Sequence, residues 1–199
     1  NYKSSSNSLS TGQILFEDYN YDDALLVIKE MVDDLCLELV EKRLVASGIG
    51  LYVGYSKDIR KPSGGSMKLD LQTNSRKQIM EAFIELFIKT TDKNYSIRRL
   101  NIGLNNVISE DFMTVNLFTD SEFDEKEKRL QDTLINIRSK YGKNSILKAN
   151  DFSPKATQRK AALKLLLALQ EQTFENTDLS EETKEAEASK NNVANTTEK

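Results

Sequence analysis

Cations, amides and hydroxyls spaced two apart along strand-like segments are the side chains of this sequence best suited to chemistry, and that chemistry is holding phosphate. SIRRLNIGLNNV, residues 96 to 107, sets Leu100, Ile102 and Leu104 on one face and Arg99, Asn101, Gly103 and Asn105 on the other. GIGLYVGYS from Gly48 and SMKLDLQ from Ser66 repeat the period of two, adding Tyr52, Lys68 and Gln72 to the polar set. Glycines at 50, 54 and 103 would let another backbone come close. The two segments are joined by a loop carrying Lys57, Arg60, Lys61, Pro62 and two glycines. Such groups contact phosphate oxygens without reading bases. An ordinary solvated sheet face has the same composition, and the residues alone leave both readings open.

Other chemistries are scarce. The chain has no His and a single Cys, Cys36, so a His-based triad and a Cys/His zinc site cannot be built from it. The pairs Asp22, Asp23 and Asp33, Asp34 could be imagined around a divalent cation, but a helix N-terminal turn and a solvated helix face explain them far better. Cys36 lies in an apolar stretch and reads as an inert core thiol.

The elements that would position the polar set follow from periodicity. Lys3 to Thr11 is Ser- and Asn-rich and reads as a linker; Gln13 to Tyr19, with Ile14 and Phe16 as its apolar positions, reads as a half-buried strand. A helix is expected from Asp22 to about Leu44, on Leu25, Ile28, Val32, Leu35 and Leu39. Ser75 and Gln78 predict a capping box ahead of a second helix carrying Ile79, Ala82, Phe83, Leu86 and Phe87. The order β-α-β-β-α-β predicts an α+β domain: a four-stranded antiparallel sheet with two helices on one face and the other face bare. A third helix is expected from about Glu122 to Tyr141, capped by Ser121, striped by Leu130, Leu134, Ile137 and Tyr141, and stopped by Gly142. Leu163 to Ala168 is a short apolar patch, and beyond Thr173 there is almost nothing to bury.

With 199 residues, 38% hydrophobic and 30% charged, the chain can bury one real core and carry a tail. No apolar run approaches the length of a membrane span, and the opening on Asn1, with neither Met nor a signal-peptide pattern, reads as a fragment of something longer. The net charge of -3 conceals alternation: residues 1–41 sum to -7, 42–109 to +7, 110–132 to -5, 133–164 to +7 and 165–199 to -5. Two blocks at +7 are a possible polyanion footprint that the whole-chain pI of 5.3 hides. Between acids, Thr114, Val115, Asn116, Leu117 and Phe118 end in two adjacent apolar side chains, suited either to a partner's pocket or to packing back on their own domain.

SSSNSLSTGQIL, GLYVGYS, GSMKLDL, SIRRLNIGLNNV and LFTDSEFDEKEKRLQDTLINIRSKYGKNSILKANDF, in that order and spacing, resemble the C-terminal half of the Y-family lesion-bypass DNA polymerases of the UmuC type. The resemblance runs from about Lys3 to Lys160. It implies that the β-α-β-β-α-β unit is a little finger, which grips template-primer DNA through its open sheet face without sequence preference. By position, it assigns DNA contacts to Ser4, Ser6, Ser8, Lys57, Arg60, Lys61, Arg98 and Arg99, beside Lys68 and Asn101 from the polar face. The family's Gln-Leu-x-Leu-Phe peptide, which binds the sliding clamp, falls on Thr114 to Phe118, where the Gln is lost and the apolar end kept; clamp binding is expected to be weak. After residues 156–160, ATQRK, the family's usual polar ending gives way to AALKLLLALQ and an acidic tail.

The expected layout is therefore a linker at 1–11, the little finger at 12–107, a clamp tether at 108–119, a helical extension at 120–160 and a divergent acidic tail at 161–199. No catalytic residue, metal or cofactor is expected in this portion, the resemblance placing Mg²⁺ on the palm carboxylates of a catalytic half upstream. Expected partners are template-primer DNA, the sliding clamp and the palm, fingers and thumb of the same polypeptide, with no membrane and a bacterial, nucleoid-associated, cytoplasmic setting. The competing expectation is a protein interaction module that uses the open face or Leu117 and Phe118.

Overall fold

Asn20, not Asp22, starts the first helix: its side chain accepts the Asp23 amide at 2.9 Å, leaving Asp22 and Asp23 in the electropositive first turn. The computed structural model describes residues 7–56, 60–112, 121–142, 145–146, 154–157 and 163. Its elements are β1 (Leu9–Tyr19), α1 (Tyr21–Glu41), β2 (Leu44–Tyr55), β3 (Ser63–Thr73), α2 (Arg76–Thr90), β4 (Ile97–Asn105), β5 (Ile108–Ser109), a 3-10 turn (Glu110–Phe112) and α3 (Ser121–Tyr141). The chain divides into two units, residues 1–158 and 159–199, and Leu163 is the one described residue of the second.

The expected fold class holds: the strands run antiparallel in the order β1-β4-β2-β3, with α1 and α2 on one face. β5 is an addition, pairing Ile108 and Ser109 with Val45 and Leu44 where the clamp tether was expected to begin. β1 begins at Leu9, so residues 9–11 belong to the sheet and not to a linker.

The face assignment of β1 is a correction. Ile14 and Phe16, read as its buried positions, are 64% and 47% exposed, whereas Leu15 is buried. Pairing explains it: Thr11 opposes Ile102 and Gln13 opposes Leu100, whose side chains are in the core, and a strand's period of two then turns Ile14 outward.

The core lies between sheet and helices. Leu35, Leu39, Ile79, Phe83 and Phe87 from the helices meet Ile49, Leu51, Val53, Leu100, Ile102 and Leu104 from the sheet, with Cys36 buried among them. Each such side chain contributes about 1.5–3 kcal/mol.

The capping box expected at α2 does not form. Ser75 makes no side-chain cap bond; its hydroxyl instead donates to Glu127 of α3 at 3.0 Å, and the Lys77 amide donates to the same carboxylate at 3.2 Å. A carboxylate from another helix thus accepts a first-turn amide of the kind the Ser75 hydroxyl was expected to take, and the Ser75 amide, expected to meet Gln78, donates to the Thr73 hydroxyl at 3.0 Å. The expected stripe of α3 is kept in its middle and lost at its ends: Leu134 and Ile137 are half-buried, together with Ile135 and Arg138, and Gln131 is buried, while Leu130 and Tyr141 remain more than 60% exposed. Gly142, at φ +93°, ends α3 as expected.

Candidate nucleic-acid interface

The uncovered face of the sheet is built in four rows. Across β1, β4 and β2, the first row reads Ile14, Arg99, Gly54. The second reads Gly12, Asn101, Tyr52 and, on β3, Gly64; the third reads Ser10, Gly103, Gly50 and Ser66; the fourth, lacking β1, reads Asn105, Gly48 and Lys68. The polar set read from the sequence is therefore brought together, with the exception of Gln72. That residue lies past an irregularity in the β2–β3 pairing, and its Oε1 is buried. Ser10, Gly12 and Ser66 join the face without having been anticipated. Their signal was the alternation of β1 read one residue out of phase, and the pairing of β3 with β2.

The cations expected to meet DNA fall into two groups. Lys61, Lys68 and Arg99 are exposed and enter no ion pair among the described residues, so a counter-anion meets no competition there. Arg98 and Arg60 are engaged. Arg98 is the extra residue where Gly54 pairs with Arg99 and Tyr55 with Ile97, and its guanidinium is 3.9 Å from the Asp18 carboxylate. Arg60 is ion-paired with Asp92 and lies over the rings of Tyr95 and Tyr55, 5.1 and 5.8 Å from their centroids. Tyr55 in turn shares a 2.7 Å hydrogen bond with Ser63 and accepts the Asp92 amide at 3.0 Å. Arg60 therefore ties the β2–β3 loop to the α2–β4 loop. Ser8 is exposed just before β1. Ser4, Ser6, Lys57 and Thr114, Val115, Asn116, Leu117 and Phe118 lie outside the described residues.

The acidic pairs are committed elsewhere. Asp33 is ion-paired with Arg76 of α2, and Asp34 accepts from Arg138 of α3 at 2.8 Å. The hydrogen bond that Arg76 donates to Asp33 raises the Arg76 pKa above its ordinary value, burial opposing it. No group of three His, Cys, Asp or Glu among the described residues could hold a metal ion, and no described helix is long and apolar enough to cross a membrane.

A short segment, residues 154–157, is fastened to α1 and β1. Buried Glu30 of α1 accepts the Thr157 amide at 3.0 Å and its hydroxyl at 2.6 Å. Tyr19 donates to the Lys155 carbonyl at 3.0 Å, and Lys155 pairs with Glu17 at 2.8 Å, which raises the lysine's pKa. Sequence reasoning gave no sign of these contacts, since they join residues 127 to 138 positions apart.

The family model described as the impB/mucB/samB family C-terminal domain matches residues 3–117, more than half of the chain. The chain belongs to this family. A relative in Bacillus subtilis (strain 168), described as putative UV-damage repair protein UvrX, is 31% identical over 161 residues, spanning 75% of this chain and 36% of its own. The chain thus covers about a third of that relative's length. Among solved structures, a Y-family DNA polymerase chimera matches with a TM-score of 0.42 at 18% identity, covering 54% of this chain and 30% of its own. A complex of beta-clamp processivity factor and the little finger domain of PolIV matches with a TM-score of 0.41 at 9% identity, covering 57% of this chain and all of that one. The UmuC-type C-terminal resemblance read from the sequence stands.

Proposed function

We propose that this domain is the little finger of a lesion-bypass DNA polymerase and holds template-primer DNA through the open sheet face, without sequence preference. The observation that carries the reading is the second-to-fourth-row surface: one uncovered face bearing Asn101, Asn105, Ser10, Ser66 and the unpaired Lys68, with Arg99 in the first row. Amides and hydroxyls donate to phosphate oxygens, cations release counterions, and glycines at 12, 50 and 103 let a backbone approach closely. In this proposal the catalytic carboxylates and their Mg²⁺ belong to the remainder of a longer polypeptide, and the domain performs no chemistry alone.

Binding of labelled template-primer to the chain, followed across a salt series, tests the reading. Affinity should fall on a log-log plot with a slope of about 0.9 per phosphate neutralised, equally for unrelated sequences. Affinity indifferent to salt would overturn it.

Clamp binding through Thr114 to Phe118 belongs to the same proposal. Replacing Leu117 and Phe118 by Ala should abolish clamp binding and spare DNA binding, and Thr114→Gln should tighten it by roughly fivefold through hydrogen bonds worth ~1 kcal/mol. Unfolding of the Leu117, Phe118 double variant would place the pair in the core instead.

A further inference from the structure

Tyr52 stands in a clearing of glycines. Gly50 and Gly54 flank it at two-residue spacing along β2, Gly64 faces it on β3, and Gly103 lies beside Gly50 on β4. At these four positions no side chain rises next to the ring. Gly64 could be nothing else: it has φ +118°, and a Cβ there would sit 2.1 Å from the Leu51 carbonyl oxygen. The ring is 40% exposed and leans over Gly54, where a Cβ would come 3.3 Å from its Cε1. The side chains that do border the clearing are Asn101, directly across on β4, and Arg99, whose Cβ lies 3.2 Å from the same Gly54 position.

A phosphate contact calls for cations and donors, and the glycines around Tyr52 offer neither side-chain group. What the clearing offers is a half-exposed aromatic ring with no side chain beside it at Gly50, Gly64 and Gly103, and, rooted beside Gly54, an exposed arginine, Arg99, without an ion partner among the described residues. That combination suits a planar ligand attached to a polyanion. In duplex DNA both faces of each base are taken by stacking, whereas an unpaired base has a face to offer to an aromatic side chain.

We infer that the Tyr52 clearing stacks an unpaired nucleobase, so that the open face holds single-stranded DNA by its bases as well as DNA backbone by its phosphates. The inference rests on the proposed DNA-binding role of the same face. Stacking of this kind tolerates any base, which matches a face with no built-in base readout.

The test compares binding of labelled oligothymidylate and of an abasic strand of equal length to the full chain. The wild type should bind oligothymidylate more tightly. Tyr52→Ala should weaken that binding about fivefold or more and leave the abasic strand unchanged, while Tyr52→Phe should keep the preference. Gly50→Val retains Tyr52 but fills the clearing; its Cβ would meet only the Asn105 and Ser66 side chains, at 3.4 and 3.9 Å, so the variant should fold and still lose the preference. Equal binding of the two strands by the wild type, with salt-dependent backbone binding intact, overturns the inference and leaves the DNA-binding proposal standing. A loss in Tyr52→Ala that is equal for both strands also overturns it. If neither strand binds even at low salt, both readings fall.

Discussion

On one side the sheet is sealed and on the other it is bare, although both sides come from the same four strands. The sealed side carries Ile49, Leu51, Val53, Leu100, Ile102 and Leu104 against two helices, and ion pairs such as Asp33 with Arg76 and Asp34 with Arg138 join the helices to one another. The bare side alternates small, amide and basic residues, and leaves Lys68 and Arg99 without ion partners among the described residues. The difference teaches that one-residue alternation along a strand is enough to separate what holds the domain together from what is left to meet a ligand. It follows that substitutions should divide the same way, changing stability on one side and binding on the other.

The largest effect should come from the sealed side. Phe83→Ala removes a fully buried ring and should cost about 3–5 kcal/mol in a denaturant titration, with the affinity of the folded fraction for DNA unchanged. Glu30→Ala strands the Thr157 amide and hydroxyl in a buried place and should cost about 1–3 kcal/mol. A DNA affinity that fell with either variant below its unfolding transition would mean the two faces are coupled.

A smaller effect is expected from pH. Burial, and then the neighbouring Asp22 carboxylate, raise the Tyr21 pKa above its ordinary 10.0. The unfolded tyrosine ionises first, so its contribution is complete below pH 10, is lost as pH climbs toward the raised value, and adds to the alkaline loss of the Lys155–Glu17 pair. Urea midpoints compared at pH 8 and pH 10.5 should fall less for Tyr21→Phe than for the wild type; identical falls would show that this hydroxyl plays no part.

Smaller still is the expected effect of Arg60→Ala. Because Arg60 is already held by Asp92, Tyr55 and Tyr95, its loss should leave the salt slope of DNA binding unaltered and loosen the loop end slightly, by about 1 kcal/mol or less for a partly exposed pair. A slope reduced by one unit would make Arg60 itself a phosphate contact.

The alternation of β2, β3 and β4 made the open face legible from sequence: Tyr52, Lys68, Arg99, Asn101 and Asn105 lie where period two puts them. β1 was misread because its apolar residues Ile14 and Phe16 point outward; only the pairing of Gln13 with Leu100 fixes its phase, and pairing is not a local property. The cap on α2 was missed for a related reason. Ser75 and Gln78 satisfy the local pattern, but Glu127, 52 positions from Ser75, supplies the acceptor. Arg60 and Arg98 looked equivalent to Lys61 and Arg99 in sequence, since nothing local reveals that Asp92 and Asp18 lie beside them.

A charge-matched pair of double variants tests the division of the two faces most directly. Arg99→Ala with Lys68→Ala removes from the rows of the bare face two cations that have no ion partner among the described residues, whereas Lys89→Ala with Lys128→Ala removes two from helices α2 and α3, where they pair with Glu85 and Glu110. With template-primer DNA across a salt series, the first pair should lower the log-log slope by about two units and the second should leave it unchanged. Equal slopes for the two double variants would contradict the assignment of DNA binding to the open face.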